Sequence, residues 1–189
     1  MAALVASFLV VALAEMGDKT QLIALTLGMR YRRPWTVMLG ILMATLLNHS
    51  LAAALGAWGA AQVSPRALGW ILGLGFIGFG IWTLVPDRAQ APAERRGWGP
   101  LLTTTVVFFL AEMGDKTQLA TAALGARYAS TLAVTLGTTA GMLAADALAV
   151  FAGHRFAAIV PLVLLRRLAA ALFFLFGIAS IVAAEWRSG

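Results

Sequence analysis

The chain has 189 residues, 61% of them hydrophobic and only 12% charged, with a mean hydropathy of +0.87. A composition this apolar lies outside the range of soluble globular domains and defines an integral membrane protein with no soluble domain left over. The net charge of +6 comes in short clusters between apolar stretches, which argues for topology signals and headgroup contacts rather than nucleic acid, and the absence of cysteine excludes disulfides, thiolate ligands and cysteine nucleophiles.

The first apolar run, residues 3 to 28, opens with MAALVASFLVVALA. Ala12-Leu13-Ala14 imitates a signal-peptide cleavage site, yet no basic segment precedes it, and an equivalent run, TTTVVFFLA, recurs at 103–111. The run is therefore expected to persist as a transmembrane helix. Further helices are expected at 35–60 and 67–85, the latter holding GWILGLGFIGFG, where Gly69 and Gly73 form a GxxxG pair that admits a close neighbour. After the polar stretch PDRAQAPAERRGWG come runs at 100–126, 131–153 and 167–185. Crossing about 30 Å of hydrocarbon takes roughly 20 apolar residues, so each run can span. Trp35, Trp58, Trp70, Trp82, Trp98 and Trp186 fall near the proposed ends, where indole rings favour the headgroup level.

A repeat organises these runs. The nonapeptide AEMGDKTQL stands at 14–22 and again at 111–119, and the same offset of 97 residues carries Leu27-Gly28 onto Leu124-Gly125, Arg30-Tyr31 onto Arg127-Tyr128, Leu39-Gly40 onto Leu136-Gly137 and Phe79-Gly80-Ile81 onto Phe176-Gly177-Ile178. The expected fold is all-α: six transmembrane helices as two three-helix repeats, residues 1–86 and 100–189, joined by a cytoplasmic linker at 87–99. Three is odd, so the second repeat enters the membrane from the opposite side, an inverted topology. Connections one, three and five carry Arg30, Arg32, Arg33, Arg88, Arg95, Arg96, Arg155, Arg166 and Arg167, against Arg66, Arg127 and Arg187 on the other side. The positive-inside rule then places both ends of the chain outside a bacterial inner membrane.

The repeated motif puts three charges where a membrane tolerates them least. Glu15 lies roughly 20 Å along its helix, near the midplane. On a continuous helix Glu15, Asp18 and Leu22 share one face, and Lys19 follows Glu15 in the favourable i, i+4 order. Inversion brings the equivalent face of Glu112, Asp115 and Lys116 against it, gathering four carboxylates. Each buried ionised group costs at least about 2.5 to 3.5 kcal/mol on insertion scales, so compensation is required. If Lys19 pairs with Glu15 and Lys116 with Glu112, the remaining charge of −2 matches one divalent cation or two protons. Carboxylate ligation, with Thr20, Gln21, Thr117 and Gln118 nearby, suits hard ions such as Ca2+, Mn2+ or Mg2+. Gly17 and Gly114 are either close-packing positions or points where the helix loosens. A salt-bridged contact that merely joins the halves would need far less charge.

EMGDKT, twice present, resembles the E-x-G-D-[KR]-[TS] signature of a family of cation–proton exchangers that includes the eukaryotic Golgi manganese/calcium transporter and bacterial MneA-type manganese exporters. The resemblance covers essentially the whole chain. It implies export of Mn2+ or Ca2+ in exchange for protons, with Glu15, Asp18, Glu112 and Asp115 as the cation-binding metal ligands, no cofactor beyond the transported ions, and transport rather than enzymatic activity.

Outside the motif, Asn48 and His49 correspond by the repeat to Ala145 and Asp146. His49 is either a satisfied interior histidine or part of a proton relay, and Asp146, without an acidic counterpart, is the stronger candidate for proton coupling. His154 reads as a solvated end residue. Two rivals exist: an intramembrane aspartyl protease, disfavoured because glutamate precedes and lysine follows each Gly-Asp pair, and a small amino-acid exporter whose substrate carboxylate would meet Lys19 or Lys116. The partners expected are the divalent cation and the lipid bilayer, not nucleic acid, and a homo-oligomer is compatible with the sequence.

Overall fold

Helix-opening and helix-closing residues sit at fixed places along the chain and set the element boundaries. The computed structural model describes residues 1–85, 98–152 and 162–186. Eight helices occur among them: α1 Ala2–Glu15, α2 Lys19–Tyr31, α3 Pro34–Ala60, α4 Pro65–Leu84, α5 Pro100–Glu112, α6 Lys116–Tyr128, α7 Thr131–Ala152 and α8 Leu162–Trp186. Pro34, Pro65 and Pro100 stand in the first turns of α3, α4 and α5, where a missing N–H costs nothing. The Ser64 hydroxyl accepts from the Ala67 N–H and caps α4. α2 and α6 end on Arg32 and Ala129 in the left-handed region, each donating its N–H back to a glycine carbonyl four residues earlier. Every helix start from α2 onward in the first half recurs 97 residues later in the second.

Two expected spans differ from the structure. The runs 3–28 and 100–126 are not continuous helices: each breaks after its glutamate and restarts at its lysine. The cause is glycine, since Gly17 and Gly114 adopt φ of +80° and +74°, a conformation that β-carbon-bearing residues avoid and that cannot continue a right-handed helix. Helix α8 also begins earlier than 167, which puts Arg166 and Arg167 in its first turns. Arg88, Arg95, Arg96, Arg155, Arg187, His154 and most of the linker 87–99 lie outside the described residues.

The side-chain distribution is that of a membrane protein. Exposed positions on α3, α4 and α8 are filled by Leu47, Leu51, Ile71, Leu74, Leu175 and Ile178, while Glu15, Asp18, Glu112, Asp115, Lys116 and Asp146 are buried. Helices α3, α4, α7 and α8 are long and apolar enough to cross a bilayer; α1 and α5 are apolar but shorter. Trp35, Trp58 and Trp186 are exposed at helix ends.

Packing is dominated by contacts between the two halves of the chain. Helices α1 and α2 lie on α7, α5 and α6 lie on α3, α3 and α7 pack together, and α4 pairs with α8. Small residues allow the close crossings. A Cβ at Gly56 would overlap the Ala122 carbonyl, one at Gly125 the Ala53 carbonyl, and one at Gly141 would stand 2.6 Å from the Phe8 oxygen. The Gly69/Gly73 pair does admit a neighbour, and that neighbour is α8: Gly73 and Gly177 face each other backbone to backbone. Phe76, Phe79, Phe173 and Phe176 fill the space below with ring centroids 5.7 to 6.3 Å apart.

Candidate cation site

The site forms where the two helix breaks meet. Glu15 and Glu112 are the last residues of α1 and α5, and Asp18 and Asp115 immediately precede α2 and α6. Each break is knitted by its own motif. The Thr20 hydroxyl donates to Glu15 Oε2 at 2.6 Å and the Thr117 hydroxyl to Glu112 Oε2 at 2.8 Å. The Gly17 N–H donates to Gln21 Oε1 at 2.9 Å and the Gly114 N–H to Gln118 Oε1 at 2.7 Å. Asp18 and Asp115 N–H groups return to the carbonyls of Glu15 and Glu112. Threonine and glutamine at these spacings thus fix the glutamates and supply the hydrogen bonds that the broken helix loses. The negative ends of the α1 and α5 dipoles converge at the glutamates and favour a cation there.

Carboxylate oxygens of Glu15, Glu112 and Asp115 lie within 4.8 Å of one another, and all three residues are buried. Glu15 Oε1, Glu112 Oε1 and Asp115 Oδ2 have no hydrogen-bond partner. Orphaned acceptors of this kind are rare in buried positions and point to a positively charged occupant. The spacing suits oxygen ligation of a hard divalent ion, with ligands at about 2.0 to 2.6 Å from the metal.

Several expectations about this centre need correction. The lysines do not pair with the glutamates of their own motif. Lys116 holds Asp18, and Lys19 stands 3.2 Å from Asp115, so both ion pairs cross between the halves. The helix break is the reason: Glu15 ends one helix and Lys19 begins another, so the i, i+4 geometry of a continuous helix does not exist there. The shared face of Glu15, Asp18 and Leu22 is lost with it, and Leu22 is exposed. Four carboxylates do not surround one point either, because Asp18 is occupied by Lys116 while the other three converge.

Asp146 on α7 and His49 on α3 are fully buried, and neither the Asp146 oxygens nor the His49 nitrogens have a hydrogen-bond partner. Asp146 is not a remote neighbour: it is within electrostatic reach of Glu15, Asp18 and Glu112. Asn48 donates its amide to the Phe109 carbonyl at 3.0 Å and ties α3 to α5. Gln21 does the equivalent for α2 and α7 through the Ala145 carbonyl at 2.9 Å, a role the sequence did not suggest. Sequence reading also passed over the buried, unpartnered hydroxyls of Ser7, Thr45, Thr135 and Thr139. Their one signal was a hydroxyl on an apolar helix face, too common to single out.

A helical membrane protein whose two broken helices bring buried, partly unpartnered carboxylates together is by class a secondary transporter for cations rather than an enzyme. Comparison with known proteins then gives the family. Residues 3–91 and 100–188 match the family described as divalent cation/proton antiporter GDT1, and the chain belongs to that family. It is 45% identical to a Vibrio cholerae protein provisionally named a manganese exporter, over 95% of this chain and 90% of that one. It is 28% identical to a GDT1-like protein of Synechocystis, over 94% and 96% of the two chains, and 30% identical to GDT1-like protein 5 of Arabidopsis thaliana, over 90% and 91%. No solved structure matches the chain.

Proposed function

We propose that this chain exports Mn2+ and/or Ca2+ from the cytoplasm in exchange for protons, with Glu15, Asp18, Glu112 and Asp115 as the residues that bind the ion. The observation that carries the reading is the trio of buried carboxylates with three unpartnered oxygens at the meeting of two broken helices. Two lysines and four carboxylates leave −2, which one divalent ion or two protons neutralise. Competition for the same oxygens couples the two fluxes, since a carboxylate must be deprotonated to hold the metal. No resident cofactor is needed. Lys19 and Lys116 both face aspartates across the halves, so the carboxylate of an amino-acid substrate would have to compete with an aspartate for either lysine. The test is metal-dependent proton flux in proteoliposomes holding the purified chain. Proton movement that ignores added Mn2+ and Ca2+ would refute the reading.

In our reading, α1 with α2 makes one crossing and α5 with α6 another. Neither α1 nor α5 alone, at 14 and 13 residues, covers about 30 Å. With α3, α4, α7 and α8 this makes six crossings in two inverted repeats, residues 1–86 and 100–189, joined by a cytoplasmic linker at 87–99, in a bacterial inner membrane with both chain ends outside. Cysteines introduced at Gln90 and Ser188 into this cysteine-free chain are expected to react with impermeant reagents from opposite sides, Gln90 from the cytoplasm. Labelling from one side only would overturn the topology.

We infer alternating access about this site, with moving bodies drawn from both sequence halves rather than the two halves themselves. The packing favours one body made of α1, α2 and α7 and a second made of α5, α6 and α3, which meet along α3 and α7. Asp146 and His49 sit at equivalent positions in the two bodies and break their symmetry, and we assign them, with Asn48, to proton coupling. Asp146→Asn is expected to reduce pH-driven transport while equilibrium Mn2+ binding persists. Loss of binding equal to that in Asp115→Asn would instead make Asp146 a ligand.

A further inference from the structure

The two copies of the motif share nine residues but not one geometry. Lys116 is held on Asp18 with its side chain only 3% exposed, whereas Lys19 beside Asp115 is 28% exposed. Asp18 Oδ2 receives the Thr20 hydroxyl at 3.3 Å, while Asp115 Oδ2 has no partner and stands with Glu15 and Glu112. Gln21 is buried and bonded to α7, whereas Gln118 is half-buried; Gly17 is half-buried, whereas Gly114 is exposed. One copy is closed over its aspartate and the other is open.

The two segments are identical in sequence, so each has the chemical groups to adopt the other's geometry, even though Asp146 beside one copy and His49 at the equivalent place beside the other make their surroundings differ. We infer that Lys19 and Lys116 are the exchange gates of the transporter: each lysine in turn covers the aspartate of the opposite motif that is not serving as a ligand. The inference rests on the carboxylate trio being the cation site. In the state seen here Lys116 covers Asp18, and the ligands are Glu15, Glu112 and Asp115. In the opposite-facing state Lys19 closes on Asp115, Lys116 loosens, and the ligands are Glu15, Glu112 and Asp18. The two glutamates stay with the ion throughout, and the third ligand changes.

Electrostatics favours the exchange. An aspartate left bare at this depth costs at least about 2.5 to 3.5 kcal/mol. As the ion leaves one aspartate, a proton or a lysine drawn in closer must neutralise it. The covered aspartate is neutralised in both states, so switching carries no unbalanced charge across the interior apart from the cargo. A lysine on a flexible four-carbon stem can travel between partners in a way that a fixed backbone donor cannot.

The test uses the full chain, whose natural lack of cysteine allows single-site chemistry. Lys19→Cys and Lys116→Cys, reconstituted separately in vesicles, are probed with an impermeant, positively charged methanethiosulfonate added to one side at a time. The expected result is that Lys19→Cys reacts from one side and Lys116→Cys from the other. Any other pattern, including no reaction of either variant, overturns the exchange. Lys116→Gln is expected to bind Mn2+ at equilibrium but to lose at least about tenfold in proton-coupled Mn2+ flux. Alkylating Lys116→Cys with 2-bromoethylamine before reconstitution rebuilds a lysine-like side chain and should restore the flux. Wild-type flux in Lys116→Gln, or joint loss of binding and flux that the alkylated cysteine does not restore, would overturn the role. If the wild-type chain binds no Mn2+, the carboxylate site itself fails; if it binds Mn2+ and the lysine pattern is absent, only the exchange fails.

Discussion

Asp115→Asn and Glu112→Gln are each expected to reduce Mn2+-driven proton flux more than about 100-fold. Each removes one of the three carboxylates that converge among the described residues. Loss of a mere supporting partner behind a metal ligand already costs roughly 10- to 100-fold, so loss of a ligand should exceed it. The paired variant Asp18→Asn should behave differently. It removes the Asp18 partner of Lys116, which is 3% exposed, and breaking a buried ion pair costs about 3 to 5 kcal/mol. Asp115→Asn strands Lys19, which at 28% exposure reaches water. Flux should fall in both, whereas thermal stability in detergent should fall much further in Asp18→Asn. Wild-type flux in both aspartate variants would remove the carboxylates from the mechanism. Equal stability losses would mean that the two lysines are not differently buried.

Gly56→Val is expected to be among the most destabilising single changes available in α3. The first side-chain atom would overlap the backbone carbonyl of Ala122 on α6, and backbone cannot rotate aside as a side chain can. Overpacking typically costs about 1 to 3 kcal/mol and more where the neighbour cannot yield, so a loss of about 3 kcal/mol or greater is expected. Gly59→Ala, one turn further along the same helix, provides the control. A Cβ there meets nothing within 4 Å, and the better helix propensity of alanine offers up to about 1 kcal/mol. Melting curves of the two purified variants should therefore diverge in sign or nearly so. Comparable melting temperatures would show that α3 and α6 do not cross as closely as described.

Much of the architecture was legible because membranes impose strong rules on sequence. Apolar runs located α3, α4 and α7 to within a few residues, and the repeated nonapeptide singled out the residues that the structure brings together. The helix breaks were not legible. Glycine permits both tight packing and positive φ, and the choice at Gly17 and Gly114 depends on what the neighbouring half presents. The lysine partners were misread for the same reason. A rule for charges one turn apart presumes an unbroken helix, and only the approach of the second motif reveals that Lys116 belongs to Asp18. Gly69 and Gly73 announced a close neighbour without naming α8, since a groove in one helix does not specify which ridge fills it.

The crossed pairing also constrains how the chain is born. Asp18 and Lys116 are 98 positions apart, and at roughly 5 to 20 residues per second a ribosome takes about 5 to 20 s to make the second after the first. For that interval α1 and α2 have no α7 to lie on and no lysine from the second motif to cover Asp18. The nascent α1–α2 segment therefore emerges without the contacts that hold it in the finished molecule. Those contacts become available only once α6 and then α7 are made, so the final packing of α1 and α2 is expected to be completed by translation of the second half.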